Sequence, residues 1–180
     1  MIIIYRYMND QSNNKKINFT RAIYIYIIGI IFSIIYFYYL YNINREQKFI
    51  FIILIIVIII LILNCYFSYE DTLKSFDDEI SQYSYVEENA RVILTSALAV
   101  AIFLKHTGMN DNNLTKLQKK SIFIPVVMSF FFSCIILTII WMPKHDSLYI
   151  RALRDCKTIF LTLSISSMIV SMINTLYYYI

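Results

Sequence analysis

The sequence predicts an all-α, polytopic transmembrane helical bundle, with four clear spans and a fifth helix that is either amphipathic or marginally spanning. Of its 180 residues, 59% are hydrophobic and 16% are charged, whereas soluble domains average about 45–50% apolar and about 25% charged residues. Only two Gly and two Pro are present. This composition excludes a disordered chain, a collagen, a disulfide-rich secreted module and a glycine-loop nucleotide-binding fold.

The N-terminal segment 1–21 is predicted to be a basic polar arm without regular structure. Its cations outnumber its one acid, Asp10, by three, and its Asn/Gln/Ser run has neither a helical nor a strand period. Arg6 interrupts the short apolar opening, so we expect an uncleaved first span rather than a removed leader. Cations beside a span favour the cytoplasmic side of the membrane for this arm.

A transmembrane hairpin is predicted over residues 22–68. Its spans cover about 22–41 and 49–67, each close to the roughly 20 apolar residues that cross a bilayer, and a tight loop makes them antiparallel. The second span has no small residue in its core, so we expect it to lie outside the others and contact lipid. The far end of the first span carries tyrosines that we expect at the headgroup level, Tyr36, Tyr38, Tyr39 and Tyr41.

Residues 69–120 are predicted to form an acidic linker, a helix over 85–107 and a polar loop. Segment 69–90 holds seven acids and one lysine, a net charge of −6. A capping box at Ser84 and Glu87 and a stop at Gly108 delimit the helix. Its low-charge stretch, 92–104, is short for a span, so it either crosses the bundle or lies in the interface.

A second transmembrane hairpin is predicted over 121–180, with spans at about 121–141 and 158–179 and a mixed-charge connector, 144–157, between them. Pro125 is expected in the first turn or so of its helix, where the missing N–H costs least. With four spans or with five, ten of the 16 Lys and Arg residues lie on the N-terminal side. Charge therefore leaves the number of spans open, and we expect both termini on the cytoplasmic side.

No pattern in the sequence predicts an enzyme, a cofactor site or a metal site. His106 and His145 each lie beside a lysine without a ligand at metal-binding spacing, and the three cysteines form no CxxC. The basic residues flank spans, which disfavours nucleic-acid binding. The predicted spans contain no Asp, Glu, Lys or Arg, which disfavours a pump or coupled transporter.

Small and polar side chains recur at helical spacing in the first, third and last spans. On the last span they follow one another at steps of three, four and three, so they share one face. Such a face predicts close helix packing with interhelical hydrogen bonds, and a water-lined path is the alternative. The predicted packing residues are Gly29 and Ser33, Ser129 and Ser133, and Ser164, Ser167, Ser171 and Asn174.

Two surface roles follow from the charge distribution. The acidic linker is a candidate docking surface for protein partners, although a solvated linker is the alternative; its residues are Glu70, Asp71, Asp77, Asp78 and Glu79. The cations that flank the spans are candidate anchors to anionic lipid; they are Lys15, Lys16, Arg21, Lys119, Lys120, Arg151 and Arg154.

The bias towards Ile, Asn, Lys, Tyr and Phe in a short polytopic chain, together with segment 141–157 and the following 158–163, resembles the small membrane proteins of giant (nucleocytoplasmic large DNA) viruses. The resemblance implies a component of the viral inner membrane, with capsid proteins as partners. An organelle-encoded accessory subunit of a respiratory complex has a similar composition and is an alternative.

The sequence as a whole favours a non-enzymatic integral membrane protein that acts as a structural or assembly component of a membrane-bound complex. Its expected partners are the lipid bilayer and proteins of that assembly, and self-association stays open. The competing hypothesis is a small passive channel or permease lined by the Ser/Asn face of the last span.

Overall fold

A computed structural model describes residues 2–43, 48–70, 91–98, 100–102, 114–141 and 147–179. The backbone in these ranges is helical apart from short turns and caps. The helices are α1 (Ile2–Ile43), α2 (Phe49–Glu70), a short α3 (Arg91–Ile102), α4 (Lys116–Ile140) and α5 (Ser147–Tyr179).

Four helices are long and apolar enough to cross a membrane, which confirms the predicted helical bundle. The candidate spans are Thr20–Ile43, Phe49–Phe67, Lys116–Ile140 and Ala152–Tyr178. The interior is filled by large apolar side chains from α1, α2, α4 and α5, among them Phe37, Leu61, Phe132 and Leu163. This chain is an integral membrane protein.

Two helices extend more than ten residues beyond their predicted limits. The N-terminal arm, expected to be irregular, belongs to α1, and α5 begins at Ser147 rather than at 158. Neither added stretch contains Gly or Pro, and a helix that is already nucleated extends at little cost through residues of moderate propensity. Hydropathy marks where a helix enters lipid, and says little about where the helix itself begins.

The N-terminus of α4 has a capping box within the segment that was predicted to be a polar loop. Thr115 accepts a hydrogen bond from the Gln118 backbone N–H, and the Gln118 side chain accepts one from the Thr115 N–H. The sequence carries the signal as Thr-x-x-Gln. The predicted Ser84/Glu87 box and the stop at Gly108 lie outside the described residues.

The contacts between helices define their directions. Arg21 of α1 pairs with Asp155 of α5, Gly29 lies against Ile159, and Tyr36 bonds Ser167, so α1 and α5 are parallel. Ser121 lies near Asn174 and Ser129 near Ser164, so α4 runs antiparallel to α5. Tyr41 stacks on Phe51, and Ile23 and Cys65 line one groove, so α2 runs antiparallel to α1.

The bundle therefore has two distinct ends. We call the end that carries Arg21, Arg154, Asp155 and Lys157 the charged end; α1 and α5 enter the bundle there, and α2 and α4 end there. The opposite end carries the C-terminal half of α1 and the start of α4.

The span of α2 is at the periphery, as predicted from its lack of small residues. Only 17% of it is buried inside the bundle, against 33–44% of the other three spans. It packs on α1 and α5 through one face, formed by Ile50, Ile53, Val57 and Leu61. Most of the other Ile and Phe side chains of this span are exposed, where lipid would surround them.

Candidate functional site

A seam of serine hydroxyls joins α4 to α5. The Ser129 and Ser133 hydroxyls lie 2.9 and 3.0 Å from the Ser164 hydroxyl, and Ser164 also donates to the Ser129 carbonyl at 2.9 Å. All three side chains are fully buried. Because serine is small, the two helix backbones approach closely and each hydroxyl finds a partner without water.

Further along the same seam, α5 compensates for a proline in α4. Pro125 lies in the third turn of α4 rather than in its first, because the helix begins at Lys116. A proline has no N–H, so the carbonyl four residues earlier loses its helical donor. That carbonyl belongs to Ser121, and the Asn174 side chain donates to it at 2.7 Å. Ser171 donates to the next carbonyl, that of Ile122, at 2.9 Å.

Tyr36 connects α1 to this seam. Its hydroxyl lies 2.8 Å from the Ser167 hydroxyl, and its ring packs edge-on against Phe132 with centroids 5.5 Å apart. Tyr36 is 5% exposed, whereas Tyr38 and Tyr39 are 60% and 52% exposed. The prediction that all these tyrosines lie at the membrane surface is wrong for Tyr36, which is in the interior because its hydroxyl has a buried partner.

Gly29 provides a close contact between α1 and α5. A Cβ atom at this position would lie 2.7 Å from Ile159 Cδ1 and 3.1 Å from Ile159 Cγ1. Ser33, one turn later, is buried and donates to the Gly29 carbonyl at 2.7 Å. The structure therefore places both residues of the Gly29/Ser33 pair on the buried face of α1.

We expect Gly29→Ala to destabilise the bundle by about 1 kcal/mol, at the low end for overpacking, because the Ile159 side chain can partly move aside. In an Ile159→Val background, which lacks the atom at 2.7 Å, the same Gly29→Ala change should cost much less. The measurement is the free energy of unfolding in mixed SDS micelles. An equal cost of Gly29→Ala in the two backgrounds would contradict the assigned contact.

A buried charged cluster lies at the charged end, where α1 meets α5. Asp155 Oδ2 is 3.5 Å from Arg21 Nη2, and Asp155 Oδ1 is 4.0 Å from Arg154 Nε. Asp155 is 1% exposed and Lys157 is fully buried. The candidate span of α5 begins at Ala152, so Arg154, Asp155 and Lys157 lie in its first two turns, outside the core of the span.

This cluster links helices that are distant in sequence. An ion pair out of water requires good geometry and additional hydrogen bonds, because removing charges from solvent is costly. The cluster was missed because Arg154, Asp155 and Lys157 were assigned to a connector. The sequence did carry a signal. Asp155 lies four residues before Ile159, and Ile159 lies seven before Ser166, so all three fall on one face of α5, which is buried.

The remaining predicted surface residues are placed as follows. Arg21 and Arg154 lie beside Asp155, while Lys119 and Lys120 lie in the first turns of α4 at the opposite end. The lipid-anchor role of all four stays a prediction. The side chains of Lys15, Lys16 and Arg151, and those of the predicted docking residues Glu70, Asp71, Asp77, Asp78 and Glu79, lie outside the described residues, as do His106 and His145.

One apolar groove of about 340 Å³ opens between α1 and α2. Its walls are almost entirely hydrocarbon, with Ile27, Ile30 and Ile62 among its lining residues. Within the described ranges no group of three or more His, Cys, Asp or Glu residues could hold a metal ion, and Cys65, Cys134 and Cys156 are free thiols. The buried serine and asparagine side chains of α5 bond instead to neighbouring helices.

No protein-family model matches this chain, and no curated protein or solved structure is detectably similar to it.

Proposed function

We propose that this membrane protein is a non-enzymatic structural component of a membrane-bound assembly, anchored by its bundle and bound to partners through its charged segments. The observation that carries the proposal is the use of the α5 polar face. Ser164, Ser167, Ser171 and Asn174 all bond to α4 or α1. These hydrogen bonds hold α5 against α4 and α1, which suits a rigid anchor better than a hydroxyl-lined path.

The assembly is proposed to lie on a viral inner membrane, with capsid proteins as partners. This proposal is supported only by the resemblance to the small membrane proteins of giant viruses. The partner surface is proposed to include the acidic linker, since blocks of like charge often serve as interaction segments.

Recovery of partners in a mild detergent tests the assembly role. Asp71, Asp77, Asp78 and Glu79 would be replaced together by Asn and Gln, and proteins bound to the tagged full chain would be quantified. We expect partner recovery to fall strongly in this variant. The matched control replaces Lys116, Lys119 and Lys120 by Gln and should keep its partners; equal recovery from both variants would exclude the linker as the docking surface.

Reconstitution into liposomes tests the competing channel hypothesis. A packed anchor should leave ion and small-solute permeability at the level of protein-free vesicles. Flux that disappears on replacing Ser167 and Ser171 by Leu would overturn the structural role and identify the α5 face as a conducting path.

A further inference from the structure

We infer that the chain crosses the membrane between α2 and α4, with α3 as the crossing helix. The α1 N-terminus and the α5 C-terminus then lie on opposite sides of the membrane, contrary to the expectation that both face the cytoplasm. Three contacts between α1 and α5 carry the inference: Arg21 with Asp155, Gly29 with Ile159, and Tyr36 with Ser167. They lie in the same order along both helices, so α1 and α5 are parallel.

The parallel arrangement fixes how many times the intervening chain must cross. The antiparallel α2 returns the chain to the charged end, and α4, antiparallel to α5, starts at the opposite end. The chain between them therefore enters at one end of the bundle and leaves at the other. An even number of crossings in that segment would make α1 and α5 antiparallel, contrary to all three contacts.

Helix α3 is placed where such a crossing would end. Val100 and Ala101, near its C-terminus, pack against Ile122 and Val126 in the first half of α4. Leu114, just before α4, packs in the same cluster, and Ala97 is fully buried. Helix α3 thus approaches the opposite end as it finishes, in the direction the connectivity requires.

Helix α3 covers part of the distance that a crossing requires. Twelve helical residues cover about 18 Å at about 1.5 Å each, and the hydrocarbon core is about 30 Å thick. The low-charge stretch of the sequence is 92–104. Arg91 is exposed at the start of α3, where a long cationic side chain can reach towards the headgroups.

This topology gathers three charged segments on one side. The basic arm, the acidic linker 69–90 and the connector 144–157 all adjoin the charged end. Ten of the 16 Lys and Arg residues lie on that side, which makes it the cytoplasmic one. One consequence rests on the proposed function. An assembly partner would approach from this side, where it would meet positively and negatively charged segments together.

Cysteine accessibility in sealed vesicles tests the topology without any partner. Cys65, Cys134 and Cys156 would be replaced by Ala, and single cysteines introduced as Asn44→Cys, Ser75→Cys, Asn110→Cys and Lys144→Cys. A membrane-impermeant maleimide would then be applied to right-side-out and to inverted vesicles. We expect positions 75 and 144 to react from one side and positions 44 and 110 from the other, and all four to react in detergent.

Reaction of positions 75 and 110 from the same side would overturn the inference, because that pattern requires four spans. Protease protection of N- and C-terminal tags on the chain with its native cysteines provides a second measurement, independent of the cysteine replacements. Tags protected in opposite vesicle orientations support the crossing, and tags protected together overturn it. Neither result depends on the assembly role, so the two proposals fail separately.

Discussion

Replacing Asp155 by Ala is expected to lower the free energy of unfolding by about 3–5 kcal/mol, the cost of breaking a buried ion pair by removing one partner. The carboxylate is 1% exposed and lies 3.5 Å from Arg21 Nη2. Without this carboxylate, the cations Arg21, Arg154 and Lys157 remain together at the charged end and lose its negative charge. The loss is therefore mostly the penalty of buried positive charge, rather than the net worth of the pair.

A double-mutant cycle separates these terms. Arg21→Met in the Asp155→Ala background removes the pair together and should recover part of the loss. Unfolding in mixed SDS micelles, followed by far-ultraviolet circular dichroism, gives the free energies. Lys116→Met is the control, since Lys116 is an exposed cation at the start of α4, and it should change stability by less than about 0.5 kcal/mol. Additive losses for Arg21 and Asp155 would show that the two side chains do not stabilise each other.

Replacing Asn174 by Leu is expected to cost about 1–3 kcal/mol, the range for leaving a buried acceptor unsatisfied. Ordinary interhelical hydrogen bonds in membranes average about 0.6 kcal/mol, because the separated helices find other partners. The Ser121 carbonyl differs, since Pro125 removes its helical donor and the Asn174 amide replaces that donor at 2.7 Å. The effect should therefore exceed the average.

Pro125→Ala provides the decisive comparison, because alanine restores an N–H that can bond the Ser121 carbonyl. In that background the cost of Asn174→Leu should fall towards about 0.6 kcal/mol. The control is Ser171→Ala. The carbonyl that Ser171 bonds, that of Ile122, keeps the Val126 N–H as its helical donor, so we expect a loss of only about 0.6 kcal/mol. An unchanged cost of Asn174→Leu in the Pro125→Ala background would contradict the compensation.

The sequence predicted the class of fold and the positions of the spans because hydropathy reports directly on the cost of placing a segment in lipid. The second span illustrates this: its predicted limits, 49–67, are those of the candidate span Phe49–Phe67. The prediction that α2 lies at the edge followed from the same principle, since a helix without small side chains offers no surface for close approach.

Pairing between helices could not be predicted in the same way. The serine and asparagine face of α5 was visible in the periodicity, but its acceptors on α4 depend on which helices are neighbours. Pro125 and Asn174 are far apart in sequence, and nothing local to either one indicates the other. The parallel direction of α1 and α5 was equally hidden, because an ambiguous helix at 85–107 permits either direction and the cation count is ten to six in both cases.

Helix α5 contacts α1, α2 and α4, and it follows the other described helices along the chain. Until it inserts, the space beside Gly29 and the Ser121 carbonyl freed by Pro125 have no partner from α5. Without α5, helices α1 and α4 lack the close contact at Gly29 and the hydrogen bonds that join them to the rest of the interior. Helix α5 is thus the shared packing surface of the other three spans.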